Sequence, residues 1–106
     1  MPVQCLTERK KSVIMIKSFK CRKTEKFYDG YFVKEFSSFD KLADEKLFML
    51  ENAHQVIDLR SPPGNRLESL KGDRKGQYSI RINKRWRLCF IWENGNASEV
   101  EIVDYH

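Results

Sequence analysis

The chain ends on Asp104-Tyr105-His106. A phenol and an imidazole are side chains that can carry a proton in catalysis, the imidazole near neutral pH. Just upstream lies a dense basic stretch: Arg66, Lys71, Arg74, Lys75, Arg81, Lys84, Arg85 and Arg87. These eight cations are offset within the interval only by Glu68 and Asp73, a local excess of +6. Beyond Arg87 the sign inverts, with Glu93, Glu99, Glu101 and Asp104 and no Lys or Arg. Cleavage of a phosphodiester needs cations to hold the phosphate and groups that move protons on either side of it. The competing reading of the same charges is a solvated strand face carrying both signs.

The elements that must position these groups can be read from period and punctuation. Gln77-Tyr78-Ser79-Ile80-Arg81-Ile82 alternates polar and apolar residues, which predicts a strand with Tyr78, Ile80 and Ile82 on one face. Trp86-Arg87-Leu88-Cys89-Phe90-Ile91-Trp92 predicts a second strand, with Trp86, Leu88, Phe90 and Trp92 inward and Arg87 outward. Arg81 and Arg87 then project together from the open face of adjacent strands. Two guanidinium groups so placed repel unless an anion lies between them, and a phosphate suits the guanidinium fork. The alternative is that Glu99 or Glu101 on a neighbouring strand pairs with them. Asn94-Gly95 signals a type I′ hairpin into a closing strand over Ala97–Tyr105. Arg66–Leu70 reads as a short strand, and Lys71–Gly76 as a turn whose Lys71 and Arg74 suit a phosphate contact.

Upstream, Thr24 is placed to cap a helix carrying Phe27, Tyr28, Tyr31 and Phe32, weakened by Gly30. Ser37-Ser38-Phe39-Asp40 resembles the cap of a second helix. Its apolar positions Leu42, Ala43, Leu47, Leu50, Ala53 and Ile57 predict a run to about residues 56–58, ended by Ser61-Pro62-Pro63-Gly64. Met15–Phe19 reads as a short first strand, and residues 1–14 as a poorly ordered N-terminal extension. The expected class is α+β: two N-terminal helices packed on a small, mainly antiparallel sheet, one domain over residues 15–106.

With 106 residues, 41% hydrophobic and 33% charged, the chain suits one domain with a modest core, and its net charge of +5 favours a polyanionic partner. No apolar run approaches the roughly 20 residues that span a bilayer, and no secretory leader is evident, so a cytoplasmic protein is expected. Cys5, Cys21 and Cys89 fit neither a disulfide framework nor a zinc site, so neither metal nor cofactor is expected. Cys89 reads as a small buried hydrophobe.

Five segments in serial order resemble the HigB branch of the RelE-like toxins. They are Pro62–Glu68, Leu70–Arg74, Tyr78–Arg81, Trp86–Phe90 and Val100–His106, with Met15–Phe19 similar to that family's usual start. The resemblance implies a compact RelE-like α/β fold and the toxin of a type II toxin-antitoxin system. Such toxins are small ribonucleases, many of which enter the ribosome and cut mRNA there. It implies as partners mRNA, the ribosome and a cognate antitoxin with a helix-turn-helix domain, which brings the complex to operator DNA. It implies Lys71, Arg87, Asp104, Tyr105 and His106 as catalytic residues; charge and placement add Arg66, Arg74 and Arg81 as phosphate binders. One departure is Glu68, where some relatives carry His three residues before the Lys of Leu-Lys-Gly; the general base is left open. The chemistry expected is attack of the RNA 2′-OH on the adjacent phosphate without a metal, giving a 2′,3′-cyclic phosphate. The alternatives are a non-catalytic nucleic-acid or ribosome-binding module, or an attenuated toxin that keeps mainly antitoxin binding and operon autoregulation.

Overall fold

A computed structural model of the chain describes residues 16–104. Two α-helices, α1 (Arg22–Tyr28) and α2 (Asp40–Asn52), precede a four-stranded antiparallel sheet in which β1 (Glu68–Ser69), β2 (Gln77–Arg81), β3 (Trp86–Glu93) and β4 (Asn96–Asp104) follow one another in order. The α+β architecture expected from the sequence is the one observed. The N-terminal extension and the first residue of the expected first strand lie outside the described residues. Ile16 and Phe19 make isolated parallel bridges to Ala97 and Val100, so the segment runs beside β4 without forming a full strand.

Both helices are shorter than their apolar patterns suggest. α1 stops at Tyr28 because Gly30 takes a φ of +102°, and Tyr31 and Phe32 follow it into solvent. Thr24 is not its cap. The threonine is fully buried inside the helix, where its hydroxyl accepts the Ile102 N–H at 3.0 Å and ties α1 to β4. The Ser37-Ser38 segment belongs to a 3-10 helix (Lys34–Phe39) that leads into α2 without a side-chain cap. α2 ends at Asn52, and residues 56–60 form a separate 3-10 turn. The Asp58 carboxylate accepts the His54 and Gln55 N–H groups at 3.0 Å each, which holds that acid below the usual carboxylate range and restarts the chain as a new element. Ile57, counted with the helix by spacing, is exposed on this turn.

The core lies between the helices and one face of the sheet. Phe36, Phe39, Ala43, Leu47 and Leu50 meet Ile80, Leu88, Phe90, Val100 and Ile102. Burial of one such large side chain contributes about 1.5–3 kcal/mol. Trp86 closes one end by packing on Phe36 and Phe39, with ring centroids 5.7 and 5.1 Å away. The Asn94-Gly95 turn has φ of 52° and 79°, the positive pair that a type I′ turn requires. Ser61–Pro62 is a cis peptide. Opposite Phe90 the β3–β4 register shifts, and Glu99 takes a φ of 51°. The Ser18 hydroxyl accepts the Glu99 N–H at 3.0 Å there, which steadies the bulge from the neighbouring segment.

Candidate nucleic-acid interface

The face of the sheet turned away from the helices carries the basic residues. The register sets Arg81 directly opposite Arg87, and Glu68 opposite Ser79, which in turn lies opposite Cys89 and then Glu101. Residues directly opposite share a face, so one transverse row holds the two arginines and the next holds Glu68, Ser79, Cys89 and Glu101. The strand alternation read from the sequence therefore brings Arg81 and Arg87 together as expected.

Arg87 is the best-fixed cation on this face. Its side chain is only 11% exposed. Its Nε donates to the Ser79 hydroxyl at 2.8 Å, and a terminal nitrogen donates to the Arg66 carbonyl at 2.7 Å. The Glu68 carboxylate lies 3.8 Å from the same nitrogen, while the Glu68 side chain remains 56% exposed. That spacing offsets part of the Arg81–Arg87 repulsion and leaves a wet carboxylate beside a held guanidinium. Arg81 is steadied by donating Nε to the Asn83 carbonyl at 3.1 Å.

Of the two acids named as competitors for Arg81 and Arg87, Glu99 accepts the Ser18 hydroxyl at 3.2 Å and Glu101 turns to a different arginine. Glu101 faces Arg74 at 3.6 Å, and Arg74 also donates to the Gln77 side chain at 3.1 Å. Arg74 is thereby tied to Glu101 in the Glu68 row and to Gln77 one row further from the Arg81–Arg87 pair. Lys71 and Arg66 are exposed, Lys71 where the chain leaves β1 and Arg66 just before it. Asp104 ends β4 opposite Trp86, and Arg85 grips its carboxylate with Nε at 3.0 and 3.1 Å and a terminal nitrogen at 2.8 Å. The fork ties the start of β3 to the end of β4. Tyr105 and His106 lie outside the described residues.

The sequence reading assigns no role to Lys46, and it includes Asn65 only as part of the Pro62–Glu68 segment, yet these two residues hold the site. Arg66 has left-handed backbone angles, φ 47° and ψ 58°, directly after Asn65, which is fully buried. The Asn65 side chain accepts Lys46 Nζ at 2.6 Å and donates to the Leu59 and Ser61 carbonyls at 3.1 and 3.3 Å. The available signal was Lys46 itself, a charge three residues after Ala43 and four before Leu50, on the apolar stripe of α2.

Cys89 lies in the middle of this face but is chemically quiet. Burial pushes its thiol up to about 11, so it is neutral at pH 7 and a poor nucleophile. Cys21 is partly exposed. Alkylation of the folded protein followed by peptide mass mapping is expected to label Cys21 and spare Cys89; prompt labelling of Cys89 would contradict this burial.

A groove of about 430 Å³ lies on the helical side, lined by Tyr28, Asp44, Glu45, Leu47, Phe48 and Glu51. Its acids repel phosphate, so this groove is a poor seat for a polyanion. Among the described residues no helix is long and apolar enough to cross a membrane, and no group of three or more His, Cys, Asp and Glu is arranged to hold a metal ion.

Comparison with known proteins bears on the family and the fold. The family described as RelE-like toxin of type II toxin-antitoxin system HigB matches residues 17–106. Toxin HigB-1 of Vibrio cholerae is 49% identical over 61 residues, which are 58% of this chain and 64% of that protein. Endoribonuclease HigB of Proteus vulgaris is 30% identical over 93 residues, covering 87% of this chain and all of that protein. In structure, the chain is similar to the YoeB-YefM complex from Staphylococcus aureus, with a TM-score of 0.53 at 21% identity over 88% of this chain and 97% of the other. That likeness concerns the fold. The family match over residues 17–106, with the Proteus vulgaris protein matched over its whole length at 30% identity, places this chain in the HigB-like family of RelE-like toxins of type II toxin-antitoxin systems.

Proposed function

We propose that this chain is an endoribonuclease that cuts mRNA on the translating ribosome, and that the arginine face of the sheet receives the scissile phosphate. The observation that carries the reading is the Arg81–Arg87 register with the Glu68 carboxylate 3.8 Å from Arg87. Paired guanidinium groups suit the doubly charged phosphorane, and a wet carboxylate beside them suits a proton acceptor. The name of the Proteus vulgaris relative supports the same activity.

In this scheme Glu68 takes the proton of the 2′-OH as that oxygen attacks phosphorus. The P–O5′ bond breaks, and an acid returns a proton to the 5′-oxygen. The products are a 2′,3′-cyclic phosphate and a 5′-OH, with no metal required. Arg87 and Arg81 neutralise the phosphorane, while Lys71, Arg66 and Arg74 guide the strand. Tyr105 and His106 are the candidate acids. They follow Asp104 directly in the sequence. Asp104, the last residue of β4, is itself held by Arg85. The antitoxin partner proposed is a small protein with a helix-turn-helix domain, and the compartment is the cytoplasm.

The test is induced expression with RNA 5′-end mapping on translated messages, with and without the adjacent open reading frame. Cuts bearing 5′-OH ends, suppressed by the neighbour, are the expected result. Glu68→Gln keeps size and removes the basic oxygen. It is expected to lower kcat about 100-fold, as does deletion of Tyr105 and His106. Full activity in both variants, or a strict requirement for a divalent metal, rejects the scheme. A second reading, a non-catalytic ribosome- or RNA-binding module, draws on the inward hydrogen bonding of Arg87. Growth arrest with intact messages would favour it.

A further inference from the structure

Arg87 is held by a chain of contacts that begins in the helical layer. Lys46 is in α2 yet only 8% exposed, and its Nζ donates to Asn65 Oδ1 at 2.6 Å. The amide of Asn65 then donates to the Leu59 and Ser61 carbonyls, which fixes the turn through Pro62–Gly64. Arg66 follows in the left-handed region, a conformation that a non-glycine residue keeps only when its surroundings impose it. In that conformation its carbonyl accepts the Arg87 guanidinium at 2.7 Å. On the other side of the guanidinium the acceptor is Ser79, itself fully buried. One end of the fork is therefore set by the sheet and the other by a turn whose shape depends on a buried lysine–asparagine pair.

We propose that Asn65, braced by Lys46, is a positioning residue that sets the direction of the Arg87 guanidinium; the inference rests on the RNA-cutting role given to Arg87 above. Lys46 reaches the turn from α2, and the partner that holds its ammonium there is a neutral amide oxygen. A surface lysine would serve solubility equally well. A lysine spent on a buried amide serves the shape of the turn. Each is taken to act on the reaction through the Arg66 carbonyl that receives the Arg87 guanidinium.

The test uses the full chain. Lys46→Met keeps the aliphatic stem and removes the donor. The readouts are hydrogen exchange at the Arg87 Nε–H, assigned by its loss in Arg87→Lys, and cleavage of translated mRNA with kcat and KM separated. Misdirection of one catalytic contact of this kind is expected to lower kcat about tenfold or more with KM unchanged, and to speed Arg87 Nε–H exchange by a similar factor. Lys46→Arg, which restores a donor, is expected to recover most of both. In the Arg87→Lys background, Lys46→Met should add less than about twofold, because the two act through one contact.

Unchanged exchange and kcat in a folded Lys46→Met protein overturns the inference, as do multiplicative effects in the Arg87→Lys background. Should Lys46→Met fail to fold, Lys46→Gln carries the same criteria. Wild-type cleavage by Arg87→Ala overturns the ribonuclease role of Arg87 instead, and the exchange measurement then decides separately whether the brace orients the side chain.

Discussion

Arg87→Ala is expected to lower mRNA cleavage about 1,000-fold and to abolish growth arrest, while leaving the protein folded and able to bind its antitoxin. The size follows from what the side chain would do. A preorganised donor aimed at developing negative charge is worth about 100- to 1,000-fold in kcat, and a guanidinium adds a full charge to its hydrogen bonds. Preorganisation is visible in the contacts to Ser79, Arg66 and Glu68, which fix the guanidinium before any RNA arrives. The structural cost is smaller. Removal leaves the buried Ser79 hydroxyl without its Arg87 donor, about 1 kcal/mol, and it also relieves the Arg81–Arg87 repulsion. Arg87→Lys separates charge from geometry. It keeps the cation, loses the fork, and is expected to fall between the two. Undiminished cleavage by Arg87→Ala in a ribosome-programmed assay would end the proposed site.

The second large effect is on stability. Asn65→Ala is expected to cost about 3 kcal/mol, because it strips partners from the buried Lys46 ammonium and from two carbonyls at once. Full loss of a buried partner costs more in general, but a lysine stem can swing its head toward water and recover part of it. For a domain of this size that corresponds to a melting temperature lower by about 10–20 °C, read by circular dichroism. Asn65→Asp preserves the shape and pairs with Lys46. It sets carboxylate oxygen against the Leu59 and Ser61 carbonyls, so it too is expected to melt early. A midpoint for Asn65→Ala within roughly 2 °C of wild type would show that the pair carries little of the fold.

These two residues mark the boundary of what the sequence makes legible. Arg87 was readable because its position follows from period alone. Strand alternation sends Trp86, Leu88 and Phe90 inward and Arg87 outward, and the register then places Arg81 opposite. The hairpin at Asn94-Gly95 was readable because few dipeptides accept two positive φ values. Asn65 was not, since its role comes from four partners spread between Lys46 and Ser61, which only the folded turn assembles. The helices failed in a different way. An apolar spacing continues past Asn52, but Asp58 offers its carboxylate to the His54 and Gln55 N–H groups, and the local cap overrides the spacing. At α1, Gly30 ends the helix before Tyr31 and Phe32 can extend it. Thr24 has the chemistry of a cap and a core position, where its hydroxyl bonds a strand instead.

The segment that runs beside β4 has a consequence for solubility. A sheet edge with free N–H and C=O groups is a template for other chains. Here Lys17 donates to the Ala97 carbonyl at 2.7 Å, Val100 to Ser18 at 3.1 Å, and Lys20 to Val100 at 3.0 Å. Those bonds occupy part of the outer edge of the longest strand, and the Glu99 bulge kinks what lies between. At the opposite edge β1 is two residues long and both are exposed. The sheet thus offers little free backbone at either margin, one edge partly occupied and the other only two residues long, so self-templated stacking finds little to copy.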